Sequence, residues 1–347
     1  SLPRGRARPV ILCPPVCMSK RSQCWCPCFC GMGNQGSCED SSSASESESQ
    51  SDAEGLSPAR KFGRCLLPEG ECSQKPVMVK RREVLYETLR RLGEFEERQR
   101  LHRVAQENMR CWAASRGEMP PAPGRVVVLP GDWGDITSQL TREEGCIFAV
   151  LNMANASVAG GGYTKGMAAQ EENMFRRTDC HFAVDEKEFD QRRDRYHRAM
   201  TDLINAKDGR VFLDVERPRI CVRGREDLDR EDLGYTWLKD DDVFPFYELR
   251  SAAVDLRKGR AFSEQECERR IQAQLDTLIE HRVRNVVLSA FGCGAFQNPP
   301  EVVARSYRRA IERCRGHFDC IAFAIFNPGY GPDSNAEVFK QAFESLT

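Results

Sequence analysis

Two glycine-rich stretches and one acidic pair are the parts of this chain equipped for chemistry. The first stretch is Asn152-Met153-Ala154-Asn155-Ala156-Ser157-Val158-Ala159-Gly160-Gly161-Gly162-Tyr163. The second is Ser289-Ala290-Phe291-Gly292-Cys293-Gly294-Ala295-Phe296-Gln297-Asn298-Pro299. Each follows an apolar run that reads as a strand. Glycine lets a backbone turn its N–H groups toward one point and lets a ligand come close. A helix starting near Pro300 adds the positive end of a dipole. Two such loops suit a diphosphate held without lysines, although either alone also reads as a tight turn. The third element is Gln170-Glu171-Glu172, seven residues beyond the glycine triplet. Adjacent acids are common on solvated helix faces. Here they stand one short loop from a phosphate-binding stretch, within reach of a sugar on the same ligand.

Positioning these groups requires a sheet and its helices. Arg125 to Leu129 and Cys146 to Met153 read as buried strands. Val211 to Val215, Ile220 to Val222, Val286 to Ser289 and Cys320 to Phe326 read as further strands. The spacing predicts helices over Phe175 to Phe182, Phe189 to Ile204, Ser263 to His281, Pro300 to Cys314 and Ser334 to Phe343. Ser263 and Glu266 form a capping box. Upstream, Val84, Leu85, Leu89, Leu92 and Phe95 give a helical stripe within Lys80 to Trp112, with Gly93 marking a break. Alternating strands and helices predict a three-layer α/β domain with a mixed, largely parallel sheet and an N-terminal helical extension. The expected boundaries are 1–76 for the N-terminal region and 77–347 for the domain, with a helical lead-in over 80–112 and a core over 124–346.

Composition narrows the setting. The formal net charge of the 347 residues is −1, which gives no electrostatic case for DNA or RNA binding. No apolar run approaches the ~20 residues of a membrane span. No secretory signal pattern is present in these residues. Of 17 cysteines, seven precede residue 40 and the rest are scattered, mostly in apolar patterns, which reads as reduced thiol inside the cell, in cytoplasm or nucleus. Ser41 to Glu54 is an acidic, serine-rich stretch expected to be disordered. The alternating Cys24, Cys26, Cys28 and Cys30 lack zinc-site spacing, and His181, His197, His281 and His317 show none either, so no metal and no cofactor is expected. Met32-Gly33-Asn34-Gln35-Gly36-Ser37 fits an acylation pattern with Gly33 as acceptor and Cys38 as a second site, provided translation starts at Met32. A membrane surface is the corresponding partner, on its cytoplasmic face.

The glycine triplet followed at seven residues by Gln-Glu-Glu resembles the signature of poly(ADP-ribose) glycohydrolases, and Leu151 to Arg177 looks like their microbial-type branch. Gly134-Asp135-Ile136-Thr137 resembles the adenine-side loop of macrodomains. Phe244 to Arg257 and Gly292 to Pro299 are similar to later stretches of the same branch, so the resemblance covers roughly 80–346. The branch often has Pro before the triplet and Phe after it, where this chain has Ala159 and Tyr163. Asp185 to Arg198 has no counterpart in the resemblance.

That resemblance implies hydrolysis of the ribose–ribose bond of poly(ADP-ribose). Glycosidases commonly use two carboxylates across the bond. Adjacent residues on a helix diverge by roughly 100°, so Glu171 and Glu172 cannot face each other across a sugar. By resemblance Glu172 acts first as acid and then as base, kept protonated by burial against Phe296 and the ligand, and Glu171 orients ribose hydroxyls. The ligand would meet Gly160, Gly161, Gly162, Gln170, Gly292, Cys293, Gly294 and Ala295. Asn155 would bond the distal ribose and Phe296 would pack on it. Asp135, and less directly Asp132, would accept from the adenine amino group. Phe326 stacks on adenine or belongs to the core. Two other readings compete: hydrolysis of ADP-ribose from a modified protein, and ADP-ribose binding without turnover. An acid at position 172 argues against the last.

Overall fold

The computed structural model describes residues 75–116, 124–257, 259–327 and 334–346. The acidic serine stretch, the cysteine-rich segment, Gly33 and Cys38 lie outside the described residues.

The chain enters through two helices. In α1 (Pro76–Gly93), Val84, Leu85, Leu89 and Leu92 bury one face. The helix stops at Gly93, as the break signal predicts, and Glu94 is extended. In α2 (Phe95–Arg116) only Leu101 and Ala105 are buried, so this helix lies on the surface.

The sheet follows. Its strands are β1 (Arg125–Pro130), β2 (Ala149–Met153), β5 (Phe212–Cys221), β6 (Phe244–Ser251), β7 (Asn285–Leu288) and β8 (Cys320–Ile325), with β3 (Phe189–Asp190) and β4 (Arg195–Tyr196) forming a separate hairpin. The order across the sheet is β1-β8-β7-β2-β6-β5. Every pairing is parallel except β5 with β6, so one antiparallel edge completes a largely parallel sheet.

Both faces are covered because the strands alternate. Val286, Leu288, Ile321 and Phe323 point into a core with α6 (Glu264–Glu280), α7 (Pro300–Cys314) and α8 (Ser334–Phe343), including Ile271, Tyr307 and Phe339. Val150, Phe246, Val287 and Ala322 point into the opposite core with α1, α3 (Trp133–Glu144) and α4 (Gln170–Arg177), including Leu85, Leu140 and Phe175. This is the three-layer α/β arrangement with a helical lead-in that the alternation predicts. Among the described residues, no helix is long and apolar enough to cross a membrane, and the eight described cysteines are free thiols.

Five expectations need correction. Phe189 to Ile204 is not one helix. Phe189, Tyr196, Met200 and Ile204 share a cluster, and their spacing mimics a helical stripe. Yet Phe189 and Tyr196 are cross-strand partners with rings edge-on at 5.8 Å. Asp190 accepts from the N–H groups of Arg192 and Arg193 and turns the chain. Only α5 (Arg198–Ile204) is helical. Phe175 to Phe182 is not one helix either. α4 starts five residues earlier, at Gln170, and ends at Arg177, because Thr178 turns extended and bridges to Cys221. The two short strands near 211–222 are one strand, β5, with an irregularity between Asp214 and Arg219. Finally, Gly134 to Thr137 is the first turn of α3 rather than a loop. Asp132 caps it by accepting from Gly134 and Asp135 N–H groups, and Gly145 (φ 60°) ends it. At α6, Ser263 caps the Glu266 N–H, but the Glu266 carboxylate pairs with Arg270 and Arg260, leaving half of the capping box.

Candidate active site

The strand order decides which loops meet. β7, β2 and β6 are parallel neighbours, so three loops leave the same edge side by side. They are the second glycine loop after Leu288, the first after Met153, and the segment after Ser251. β8 and β1 continue that edge and deliver Phe326, and then Asp132 and Asp135. From β1 to β6 is four inter-strand spacings, about 19 Å.

The first loop wraps around two carboxylates. Both sit in the first turn of α4, where the dipole favours negative charge. Glu171 is 3% exposed. Its Oε2 accepts from Asn155 N–H at 2.7 Å, and its Oε1 from Gly160 N–H at 3.0 Å. Glu172 is half-buried, and its Oε1 accepts from Gly162 N–H at 2.9 Å. Gly161 (φ +55°) runs between them. A Cβ there would stand 2.6 Å from Glu172 Oε1 and 3.1 Å from Glu171 Oε2. The triplet is therefore needed first by the protein's own acids. Burial pushes the Glu171 carboxyl well above its usual range and the Glu172 charge adds to this, against the two backbone donors.

Gln170 pins this turn to the sheet. Its Oε1 accepts from Met153 N–H at 2.9 Å, and its Nε2 donates to Leu151 carbonyl at 2.7 Å. The side chain thus continues the hydrogen bonding at the end of β2. Asn155 Oδ1 accepts from Ser157 and Val158 N–H groups, so its amide nitrogen is the end available to a ligand. Tyr163 is 1% exposed, and its hydroxyl bonds His181 Nδ1 at 2.8 Å, so its ring is core.

The second loop is built differently. Asn298 Nδ2 donates to Val254 carbonyl at 2.8 Å and to Gly292 carbonyl at 3.1 Å, folding the loop onto the β6 segment. Cys293 and Gln297 N–H groups close internal turns. No described residue accepts from the N–H groups of Gly294, Ala295 or Phe296. A Cβ at Gly294 would meet nothing within 4 Å. This is open backbone at the start of α7, whose N-terminal end is positive. Burial pushes the Cys293 thiol far up, which makes it inert.

Phe296 is half-buried, with the Arg257 guanidinium 5.0 Å from its ring centroid. Arg257 pairs with Asp255 at 2.8 and 2.7 Å, which raises its pKa, and Glu172 is near enough to add to this. Sequence reasoning passed over Arg257, and no pattern around it marks it.

It also passed over a buried ionic network under the first loop. Glu248 accepts from Asn152, Arg250 and Arg219 at 2.8–3.1 Å. Burial alone would raise its pKa, but Arg250 and Arg219 hold it at about 2. Arg250 also reaches Glu188 at 3.0 Å and ties the β3–β4 hairpin to the sheet. The signal was legible: Glu248 and Arg250 are charges on consecutive inward positions of a central strand. Asp185 to Arg198, which the family resemblance left unplaced, carries this buttress, and Tyr196 N–H donates to Ser157 carbonyl in the loop.

At the far end, Asp132 is buried and pairs with Arg177 at 2.6 Å. Asp135 is half-exposed and lies 3.8 Å from Arg177 and 3.5 Å from Arg225. Burial and the Asp132 charge raise its pKa. Phe326 is 45% exposed, outside the core. Among the described residues no cluster of His, Cys, Asp and Glu is arranged to hold a metal.

Residues 80–207 match the family described as the catalytic domain of microbial-type PARG. A search of curated proteins returns no match. Among solved structures, the poly(ADP-ribose) glycohydrolase of Thermomonospora curvata is similar at 20% identity, over 76% of this chain and 100% of that one, with a TM-score of 0.53. The same enzyme bound to the inhibitor ADP-HPD gives 20% identity, the same coverage and a TM-score of 0.51. At that identity the likeness is one of fold. The matched segment contains the glycine triplet and the Gln170-Glu171-Glu172 turn, so this part of the chain is similar to that family.

Proposed function

We propose that the chain hydrolyses the ribose–ribose glycosidic bond of poly(ADP-ribose), releasing ADP-ribose, with Glu172 as its only proton-transfer group. The observation that carries this is the contrast between the loops: one fixes a carboxylate, and its neighbour presents open N–H groups. A diphosphate on Gly294, Ala295 and Phe296 would send its distal ribose across to β2 and β6, toward Asn155 and Glu172. Its adenosine would run the other way, toward Phe326 and Asp135. The roughly 19 Å edge has the length for such a ligand.

Glu172 is held by one oxygen, leaving Oε2 for the substrate. In this scheme a proton passes from Glu172 to the leaving ribose 2′-oxygen as the C1″–O bond breaks. Charge then develops on the sugar ring, stabilised by the neighbouring diphosphate. Water adds to C1″ and returns a proton to Glu172, which restores the starting state. Glu171 and Gln170 are positioning residues in this scheme. They shape the loop and hold α4 against β2.

The test is chromatography of products from poly(ADP-ribose) and from mono-ADP-ribosylated protein. Release of ADP-ribose from polymer by the wild type, absent in Glu172→Gln, supports the reading. Turnover of the modified protein alone would replace it with the side-chain hydrolase reading. Binding of ADP-ribose with no turnover of either would make the chain a binding module.

A further inference from the structure

The β3–β4 hairpin ends in a turn that the proposed reaction does not use. Arg192 and Arg193 lie in that turn, Arg195 on β4 and Arg198 at the start of α5, and all four side chains are exposed. Across Gln191 to Arg198 the only acid is Asp194. Four arginines against one aspartate leave a local positive surplus that the whole-chain charge of −1 hides.

The neighbouring acids are engaged elsewhere or hold these arginines loosely. Asp190 stands opposite Arg195 in the ladder, but its Oδ1 accepts from the backbone N–H groups of Arg192 and Arg193. Its contact with the Arg193 guanidinium is long, at 3.6 Å, and that side chain stays 82% exposed. Arg198 stands 3.5 Å from Asp202 and stays 89% exposed, and Asp202 is already paired with Lys207 at 2.5 Å. Glu186 and Lys187, both exposed, offset each other on the chain before β3. Arg192 and Arg195 have no carboxylate partner among the described residues. Exposed guanidinium forks with open donors match phosphate oxygens.

The support beneath them is fixed. Phe189 and Tyr196 meet edge-on and share a buried cluster with Ala159 of the first loop. Arg250 fastens Glu188 to the sheet, and Tyr196 N–H donates to Ser157 carbonyl at 2.8 Å. The arginines therefore stand on an element bonded directly to the loop whose Gly162 N–H holds Glu172. This is the β2–β6 end of the strand edge, away from Asp135 and Phe326.

We propose that this arginine face docks the part of poly(ADP-ribose) on the leaving side of the scissile bond, with Arg192, Arg193 and Arg195 pairing with its diphosphates. The assignment rests on the function proposed above. A terminal unit in the cleft has its C1″ at Glu172, so the rest of the polymer leaves the protein at this end. Each further unit carries a diphosphate, and several exposed arginines on one fixed hairpin complement that repeated charge.

The experiment is a titration of full-length Glu172→Gln protein, which should not consume its ligand, with fluorescent polymer of two units and of about ten units. It is run at about 50 and about 200 mM salt. The comparison variant adds Arg192→Gln, Arg193→Gln and Arg195→Gln to the same parent. The long polymer should bind the parent about tenfold more tightly than the two-unit oligomer at the lower salt. The added substitutions should remove that gain and reduce the slope of log affinity against log salt by about two, with ADP-ribose affinity unchanged. Circular dichroism confirms the fold, and Arg192→Gln alone, expected to take about one from the slope, carries the test if the combined variant does not fold. Equal or tighter binding of long polymer by the folded variants overturns the proposal. So does displacement of the polymer by heparin as effective as by unlabelled polymer, which would make the face a general anion surface. Products formed by the wild type separate the two readings. Polymer that binds through the arginines but is never cut leaves the docking surface standing and sinks the glycohydrolase reading. Polymer that is cut, with the arginines making no difference to its binding, does the reverse.

Discussion

The two glycine loops look alike in sequence and are opposites in structure. In the first, the N–H groups of Asn155, Gly160 and Gly162 all point at protein carboxylates. In the second, three consecutive N–H groups have no acceptor among the described residues, and Gly294 faces open space. A glycine-rich loop is therefore not in itself a phosphate cradle. Its amides serve whichever anion the fold brings, and here α4 brings two of them to the first loop. The first loop holds two carboxylates, and the second keeps its N–H groups open among the described residues.

The largest effect expected from that division is on chemistry. Glu172→Gln keeps an oxygen for the Gly162 N–H but cannot relay a proton. Turnover of polymer should fall about a thousandfold or more, with ADP-ribose affinity within a few-fold of wild type. Calorimetry and a product assay on one preparation measure both, and substantial residual turnover would sink the assignment.

Valine in each loop sharpens the comparison. Gly294→Val should fold with an unchanged melting temperature and lose ADP-ribose affinity by at least about a hundredfold, near 3 kcal/mol. Gly161→Val should do the reverse first. Its Cβ meets the Glu172 carboxylate, and its positive φ is strained, so stability should drop by more than about 2 kcal/mol. Thermal melts that rank the two variants the other way would erase the distinction between the loops.

A smaller loss is expected from Glu171→Gln. The amide retains one acceptor and sets its NH2 against a backbone N–H, at a cost of about 1–3 kcal/mol. Hydrogen exchange should show the Asn155 and Gly160 amides opening while those of the second loop stay as they were. Protection lost in both loops would mean that they are a single unit.

The smallest effect lies away from both loops and serves as their control. His102 on α2 bonds buried Asp179 at 2.8 Å, and Asp179 also accepts from Ile220 N–H. Burial opposes the charge on His102, but Asp179 overcomes it and raises the histidine pKa. The Asp179 pKa is lowered: burial would raise it, but His102 and Arg219 prevail. The histidine term stabilises fully below its ordinary value near about 6.5 and fades as pH rises through the raised value. The aspartate term is present above about 3.9 and fades as pH falls through the lowered value. His102→Gln should cost about 1 kcal/mol near pH 6, after allowance for partial exposure, and less at pH 9. Denaturant titrations at the two pH values test this, and an equal loss at both would remove the ion pair from the account.

Local pattern carried much of the architecture. The residues of β7, β8, α6, α7 and α8 are legible because each buries a whole face, so apolar period and segment coincide. The α7 bounds agree with the expected Pro300 to Cys314. The Gln170-Glu171-Glu172 turn and both glycine loops were visible for a similar reason: backbone turning and acid chemistry need particular residue types at short separations, and short separations survive in a sequence. What pattern could not carry is which groups share a partner. The 7, 4 and 4 spacing from Phe189 to Ile204 suits a helix, and a turn capped by Asp190 makes half of it a hairpin instead. Glu171, Asn155 and Gly160 meet through a loop closed by α4. Glu248 meets Arg219 across an antiparallel edge, and the two glycine loops are neighbours only because β2 and β7 pair in parallel. The assignment of each N–H group to a carboxylate or to open space is a matter of closure over many residues. It depends on strand order and burial, which no local run of residues encodes.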